Sequence, residues 1–271
     1  MKIKLTAAIF IAVFIALAGL YYISPQVRGP QIQGLGLFFS AGAAVIGIYT
    51  SRIYGFRSAN GRALLLIAGG LVCWATAEVI WYVSDTFIVS GTIAPSLADI
   101  FFLLGYPFFG VGVYQGFITA GIKLKTVNKS LLYIVLIVSL VLTSLVAHFG
   151  VYQAFDPEVD TLTNVVNISY GIGDLVLVIF SLLTILVASE YKDGKLASFW
   201  KAIAIGFLLI LIADIVFAIY GENVLADVKP YTYVDLVWEA GYQFLAFAML
   251  ENYLHISAVQ QNIRLRLLQR K

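Results

Sequence analysis

Eight stretches of this sequence are apolar over a length that crosses a bilayer, and that limits the fold before any motif is considered. They fall near 5–23, 33–52, 63–84, 98–119, 130–150, 164–188, 199–220 and 234–254. A hydrocarbon core of about 30 Å needs about 20 apolar residues of helix. Turn-forming clusters punctuate the junctions, among them Ser24-Pro25, Ala94-Pro95-Ser96, Asp156-Pro157 and Lys229-Pro230. Composition agrees, with 61% hydrophobic and 12% charged residues, against roughly 45–50% and 25% in a soluble domain. The expected fold class is all-α, a polytopic membrane bundle of about eight transmembrane helices. Lys2 and Lys4 with the apolar run behind them imitate a secretory signal. The small-residue cleavage site is missing and the run is long enough to span, so it reads as a retained first helix.

Charge orients the bundle. Of the 17 lysines and arginines, all but Arg28 and Lys229 fall on one side of the expected spans, close to helix ends. That asymmetry places both termini in the cytoplasm of a cell (plasma) membrane protein. Beyond residue 254, Ile256, Val259, Ile263 and Leu267 recur at helical spacing between basic residues. Residues 255–271 therefore read as a cytoplasmic basic amphipathic tail on anionic lipid, or as the stub of a signalling helix.

The chain also repeats itself. Gly70 and Gly206, Ala77 and Ala213, Glu78 and Asp214, Asp99 and Asp235, Gly105 and Gly241, and Tyr106 and Tyr242 all lie 136 residues apart. An ungapped offset through two acids and a Gly-Tyr pair marks an internal duplication. Four helices per unit is an even number, so the halves (1–126 and 127–254) share one orientation as a parallel 4+4 repeat. Gly34-Leu35-Gly36-Leu37 matches Gly171-Ile172-Gly173-Asp174 after a one-residue shift. Asp174 is then an acid that only the second half carries.

The acids carry the functional signal, because an ionisable group inside a membrane helix is a functional-site hypothesis by default. Counting from residue 63 at 1.5 Å per residue, Glu78 lies about 22 Å up its helix, in the outer half. Asp214 shares that depth by the repeat, and Asp174 falls near mid-depth. Asp99 and Asp235 sit at the outer ends of helices 4 and 8, with Glu239 one turn below Asp235. No lysine or arginine lies at comparable depth. Ser96-x-x-Asp99 and Thr232-x-x-Asp235 also read as capping boxes, with the acid in the first helical turn. Glu78 and Asp214 have no such local role; they bind a ligand or proton, or they hydrogen-bond between helices. Trp81, Tyr106, Tyr170, Phe217, Trp238 and Tyr242 accompany the acids. In part this is the interfacial aromatic belt; any remainder lining a cavity suits an organic cation.

Several chemistries have no support. The single Cys73 forms no intramolecular disulfide, and no basic stripe with aromatics points to nucleic acid. No metal-ligand cluster is found, His148 reads as an interfacial histidine, and no cofactor is assigned. Gly171-x-Gly173-Asp174 resembles the GxGD element of intramembrane aspartyl proteases. In those families the GxGD aspartate is the second of the pair in the chain. Here Asp214 follows it, and no Pro-Ala-Leu element occurs.

Ala77-Glu78-x-x-Trp81, Pro95-Ser96-x-x-Asp99-x-Phe101-x-Leu103-x-Gly105-Tyr106-Pro107 and Gly173-Asp174-Leu175-x-Leu177 form a recognisable set. So do Ala213-Asp214-x-x-Phe217-Ala218-x-Tyr220 and Asp235-x-x-Trp238-x-x-Gly241-Tyr242. Over about residues 63–250 the chain resembles the multi-pass N-terminal membrane sensor module of prokaryotic GGDEF/EAL proteins and histidine kinases. The resemblance implies an eight-helix sensor. No GGDEF, EAL, PAS or kinase segment follows Lys271, so the expectation is either a partner in trans or an excised sensor region. Gly-Asp and Ala-Asp on helices also resemble the lysoplasmalogenase-like family, whose histidine-bearing pattern is not found.

The sequence therefore leads to a non-enzymatic sensor or ligand-binding protein with an outward-facing pocket between the halves and no catalytic residue assigned. The candidate ligand-binding residues are Glu78, Trp81, Asp99, Tyr106, Asp174, Asp214, Asp235, Trp238, Glu239 and Tyr242. The implied partners are the lipid bilayer, a small ligand for which a cation is the natural class, and a cytoplasmic signalling partner at the C-terminal tail. Two alternatives stay open: a proton- or cation-coupled secondary transporter, and an intramembrane lipid or peptide hydrolase built on Asp174 and Asp214.

Overall fold

The computed structural model describes residues 2–23, 30–84, 87, 95–121, 127–191, 194–225 and 228–269. Among them are eight α-helices and no strand: α1 (Lys2–Ile23), α2 (Pro30–Tyr54), α3 (Ala59–Val83), α4 (Leu97–Ala120), α5 (Lys129–Leu145), α6 (Thr161–Glu190), α7 (Lys195–Leu225) and α8 (Val234–Leu268). A π-helical segment, Val146–Tyr152, extends α5, and a 3-10 turn, Tyr231–Tyr233, precedes α8.

Six described segments are long and apolar enough to cross a membrane: Gly34–Tyr54, Ala59–Val83, Leu97–Ala120, Lys129–Tyr152, Thr161–Ser189 and Leu196–Gly221. This is the make-up of a multi-pass helical membrane bundle. Neither α1 nor α8 is among the six. In α1 the described apolar stretch is the shorter Ala8–Leu20. In α8 the reason is chemical, since Asp235, Glu239, Gln243, Glu251 and Asn252 break its hydropathy. Yet Leu245, Met249 and Tyr242 of that helix are buried, so α8 belongs to the core.

Packing follows a regular scheme. The α3–α4 and α7–α8 hairpins have extensive contact; α2 packs on α3 and α8, and α6 packs on α7 and α4. Small residues set the distances. A Cβ at Gly70 would meet the Phe109 ring at 2.6 Å, and one at Gly206 would meet Leu245 at 2.8 Å. Gly105 lies against Trp74, and Gly241 against Ile210. At the centre, Trp74 packs edge-on against Tyr106, Tyr242 and Phe109, with centroids 6.1, 5.9 and 4.6 Å away. Its Nε1 donates to the Phe102 carbonyl at 3.0 Å. By contrast α5 is peripheral: Val135 is its buried residue, and Leu136, Ile137, Leu140 and Val141 face outward. That surface suits lipid.

Helix ends are set locally. Ser96 Oγ accepts from the Ala98 N–H, and Asp99 Oδ2 accepts from the Ser96 N–H at 2.5 Å, so the expected capping box starts α4. The second box is not formed in the same way. The 3-10 turn delays α8, its N-cap becomes Tyr233, and that side chain makes no cap bond. Asp160 caps α6 by accepting from the Leu162 and Thr163 N–H groups and the Thr163 hydroxyl. These bonds hold its carboxyl below the usual range. The cap is therefore intact above the ordinary aspartate pKa and is lost as pH falls through the lowered value. Gly55, at φ 89°, turns the chain from α2 to α3. The tail is not a separate element, because α8 continues unbroken to Leu268 with residues from Ala258 onward exposed.

The tightest approach joins the π-helical segment to α6, where a Cβ on Gly171 would run into the Gly150 carbonyl. Backbone cannot give way as a side chain can, so Gly171→Ala should destabilise the protein by about 1–3 kcal/mol. Gly42, with nothing within 4 Å of its Cβ position, is the control. Gly42→Ala should be stabilising by about 0.5–1 kcal/mol. Thermal unfolding of the purified variants checks both.

Candidate functional site

Glu78 and Asp214, the acids 136 residues apart, are both held by aromatic donors. Glu78, on α3, accepts the Tyr242 hydroxyl of α8 at Oε1, 2.7 Å away. Asp214, on α7, accepts from Trp238 Nε1 of α8 at 2.7 Å. Asp174, on α6, accepts the Tyr106 hydroxyl of α4 at 2.9 Å. Asp99 uses its second oxygen to accept the Tyr170 hydroxyl of α6 at 2.7 Å. Three of these four bonds cross between residues 1–126 and residues 127–254.

Two of the acids also meet a second carboxyl. Asp174 and Asp214 lie within hydrogen-bonding reach of each other, with Asp174 only 6% exposed. Two carboxyls attract one another only when a proton stands between them. Glu239 is buried and acts electrostatically on Glu78 and Asp235. A Cβ on Gly36 would lie 2.7 Å from Glu239 Oε1 and 3.5 Å from the Tyr242 ring, so both side chains press on the α2 backbone. Asp214 is within electrostatic reach of Tyr106, Tyr170 and Tyr242. The two acid pairs are brought side by side by Trp74, which lies edge-on to both Tyr106 and Tyr242.

Seven of the ten expected residues share these four hydrogen bonds, and Asp235 and Glu239 join them electrostatically at Glu78. Trp81 does not; it is half-buried and, among the described residues, makes no hydrogen bond to the acids. Two pairings differ from sequence proximity, since Tyr170 binds Asp99 rather than Asp174, and Tyr106 binds Asp174 rather than Asp99. Pro107 lies directly behind Tyr106 inside α4. It has no N–H, which leaves the Leu103 carbonyl without its helical donor. His148 is exposed, with Nε2 3.4 Å from Gln153 Nε2 and its ring stacked on Tyr152. Buried Gln243 and Glu251 were passed over in the sequence. Their signal was the four-residue spacing from Glu239 along α8. Among the described residues, no group of three or more His, Cys, Asp or Glu side chains is arranged to hold a metal ion.

A small cavity lies toward the opposite end of the bundle, lined by residues including Tyr54, Asn60, Trp200 and Asn252. There the Tyr54 hydroxyl donates to Asn252 Oδ1 at 3.0 Å.

Removing a donor leaves a buried carboxylate oxygen unsatisfied, at a cost of about 1–3 kcal/mol. Tyr106→Phe and Asp174→Asn should therefore be non-additive in thermal stability, with a coupling of about 0.5–3 kcal/mol. Tyr242→Phe with Glu78→Gln should behave alike. Additive effects in both cycles would remove the network from any account of how the bundle holds together.

No protein-family model, curated protein or solved structure matches this chain.

Proposed function

We propose that this is a plasma-membrane ligand-binding or sensor protein made of two like four-helix halves, with its acid–aromatic site at their seam. The observation that carries this reading is the crossing of hydrogen bonds. Glu78 and Asp99 take their tyrosines from the second half, and Asp174 takes its tyrosine from the first. A ligand that changes the charge or position of one carboxyl therefore acts on both halves at once.

The paired contacts support the duplication. Gly70 on Phe109 corresponds to Gly206 on Leu245, and Gly105 on Trp74 to Gly241 on Ile210, all at the 136-residue offset. Gly36 under Tyr242 corresponds to Gly173 under Tyr106 after the one-residue shift. On this reading eight helices span in a parallel 4+4 arrangement with both termini cytoplasmic. The basic residues favour that orientation, and the acids then lie toward the outer face. The continuous α8 links the site to the basic C-terminal extension, where a cytoplasmic partner would read it. The kinship to the sensor modules of GGDEF/EAL proteins and histidine kinases is proposed on the motifs alone.

A transporter is the second reading. Gln243, Glu251 and Asn252 favour it, because they extend buried polar groups along α8 away from the acids. The hydrolase alternative gains the proximity of Asp174 and Asp214, but Asp174 and its donor Tyr106 are both buried from an incoming substrate.

The test is thermal stability of the purified protein across amines, alkali cations and lipids. A ligand of this site should stabilise the wild type, by about 2.7 kcal/mol at a hundredfold excess over Kd, and should leave Glu78→Gln and Asp214→Asn unmoved. If nothing in the panel distinguishes wild type from the variants, the small-ligand reading fails.

A further inference from the structure

A groove of about 370 Å³ lies where the connection between α5 and α6 folds onto the start of α6. Phe155, Pro157 and Val159 line it from the connection, and Asn164, Val165 and Ile168 line it from α6. Asn164 ties the two together. It is buried, its Oδ1 accepts from the Asp156 N–H at 2.8 Å, and its Nδ2 donates to the Asp156 carbonyl at 2.7 Å. Phe155 and Pro157, on either side of Asp156, are thereby fixed relative to α6.

Two apolar spans meet at this place. Lys129–Tyr152 ends just before the connection and Thr161–Ser189 begins just after it. In a bilayer the groove therefore stands at the boundary between hydrocarbon and headgroups. Along α6, Val165, Ile172 and Ile179 recur every seven residues and all three are exposed. That stripe suits acyl chains and enters the groove through Val165. On the water side, the connection carries three exposed carboxyls in five residues, Asp156, Glu158 and Asp160. No lysine or arginine occurs between residues 130 and 191 to balance them. An apolar floor under an acidic rim is covered best by an amphiphile whose head carries positive charge, while an anionic headgroup is repelled.

We propose that this groove binds a membrane lipid whose headgroup ends in an ammonium group, as in an ethanolamine phospholipid. One acyl chain continues the α6 stripe into the groove. The ammonium, the outermost group of such a lipid, reaches Asp156 and Glu158, with the exposed Phe155 ring available to its positive charge. Asp160 contributes only its field, since its oxygens are spent on capping α6. The site is separate from the acid–aromatic cluster and goes beyond the function proposed above. Lipid held there braces the first turns of α6, the helix that carries Tyr170 and Asp174.

The test places the full chain in nanodiscs of equal phosphatidylethanolamine and phosphatidylglycerol. Native mass spectrometry then reads the lipid retained, and a photoactivatable phosphatidylethanolamine maps the contact. Wild type should retain phosphatidylethanolamine with roughly fivefold preference, the scale of an exposed charge pair, and the label should map within residues 155–168. The double variant Asp156→Asn/Glu158→Gln should lose the preference, and Val165→Trp, which fills the groove, should lose the label. Val141→Trp, on the exposed face of α5, should keep both. Equal retention of the two lipids by wild type overturns the proposal, and that measurement needs no variant to fold. A preference that survives the double variant overturns it as well. So does a label that maps elsewhere, or a second copy of the chain cross-linked through the groove in place of lipid. Lipid bound here stabilises wild type and Glu78→Gln alike, so this site and the acid–aromatic site fail by different results.

Discussion

Carboxyl groups buried without a cationic neighbour in their own helices constrain everything else in this bundle. Such groups are tolerated only where hydrogen-bond donors are brought to them, and here the donors are tyrosine hydroxyls and an indole N–H. These aromatics combine an apolar body that packs in the core with one polar tip. Because the tips must reach acids on other helices, the acids dictate which helices touch. Tyr106 ties α4 to α6, Tyr170 ties α6 back to α4, and Tyr242 ties α8 to α3. The glycines follow as a consequence, since a ring over Gly36 or Gly173 requires that no side chain stand beneath it.

Much of this could be read from the sequence, and for identifiable reasons. Helix positions follow from apolar length: α3 was expected at 63–84 and forms over Ala59–Val83, and α4 at 98–119 and forms over Leu97–Ala120. The acids announced themselves because charge is rare in apolar helices. What stayed hidden depends on register between distant segments. Nothing local says that Tyr170 bonds Asp99, 71 residues away, while its near neighbour Asp174 takes Tyr106. The π-helical turn was equally silent, because its setting includes a backbone contact between Gly150 and Gly171 that belongs to two elements. At α8, hydropathy misjudges the role: the polar residues that disqualify it as an apolar span belong to the network and the buried core.

The two acid pairs also differ in kind. Glu78 and Asp214 occupy equivalent places in the duplicated pattern, yet each faces an acid without an acidic counterpart in the other half, Glu239 in one case and Asp174 in the other. These two unmatched acids lie on different helices, α8 and α6, so the two acid pairs are chemically unequal around a shared tryptophan.

The uninterrupted run of α8 has a mechanical corollary. Thirty-five residues of helix measure about 52 Å, and the acids occupy its first two turns while the exposed basic segment occupies its last three. A rod of that length has no joint at which motion can dissipate. With its middle clamped between α2 and α7, a sideways displacement at one end reappears at the other with its direction reversed, and the interior residues form the fulcrum. The packing of Met249 against Gly47 and of Leu245 against Gly206 then sets the leverage rather than merely the stability.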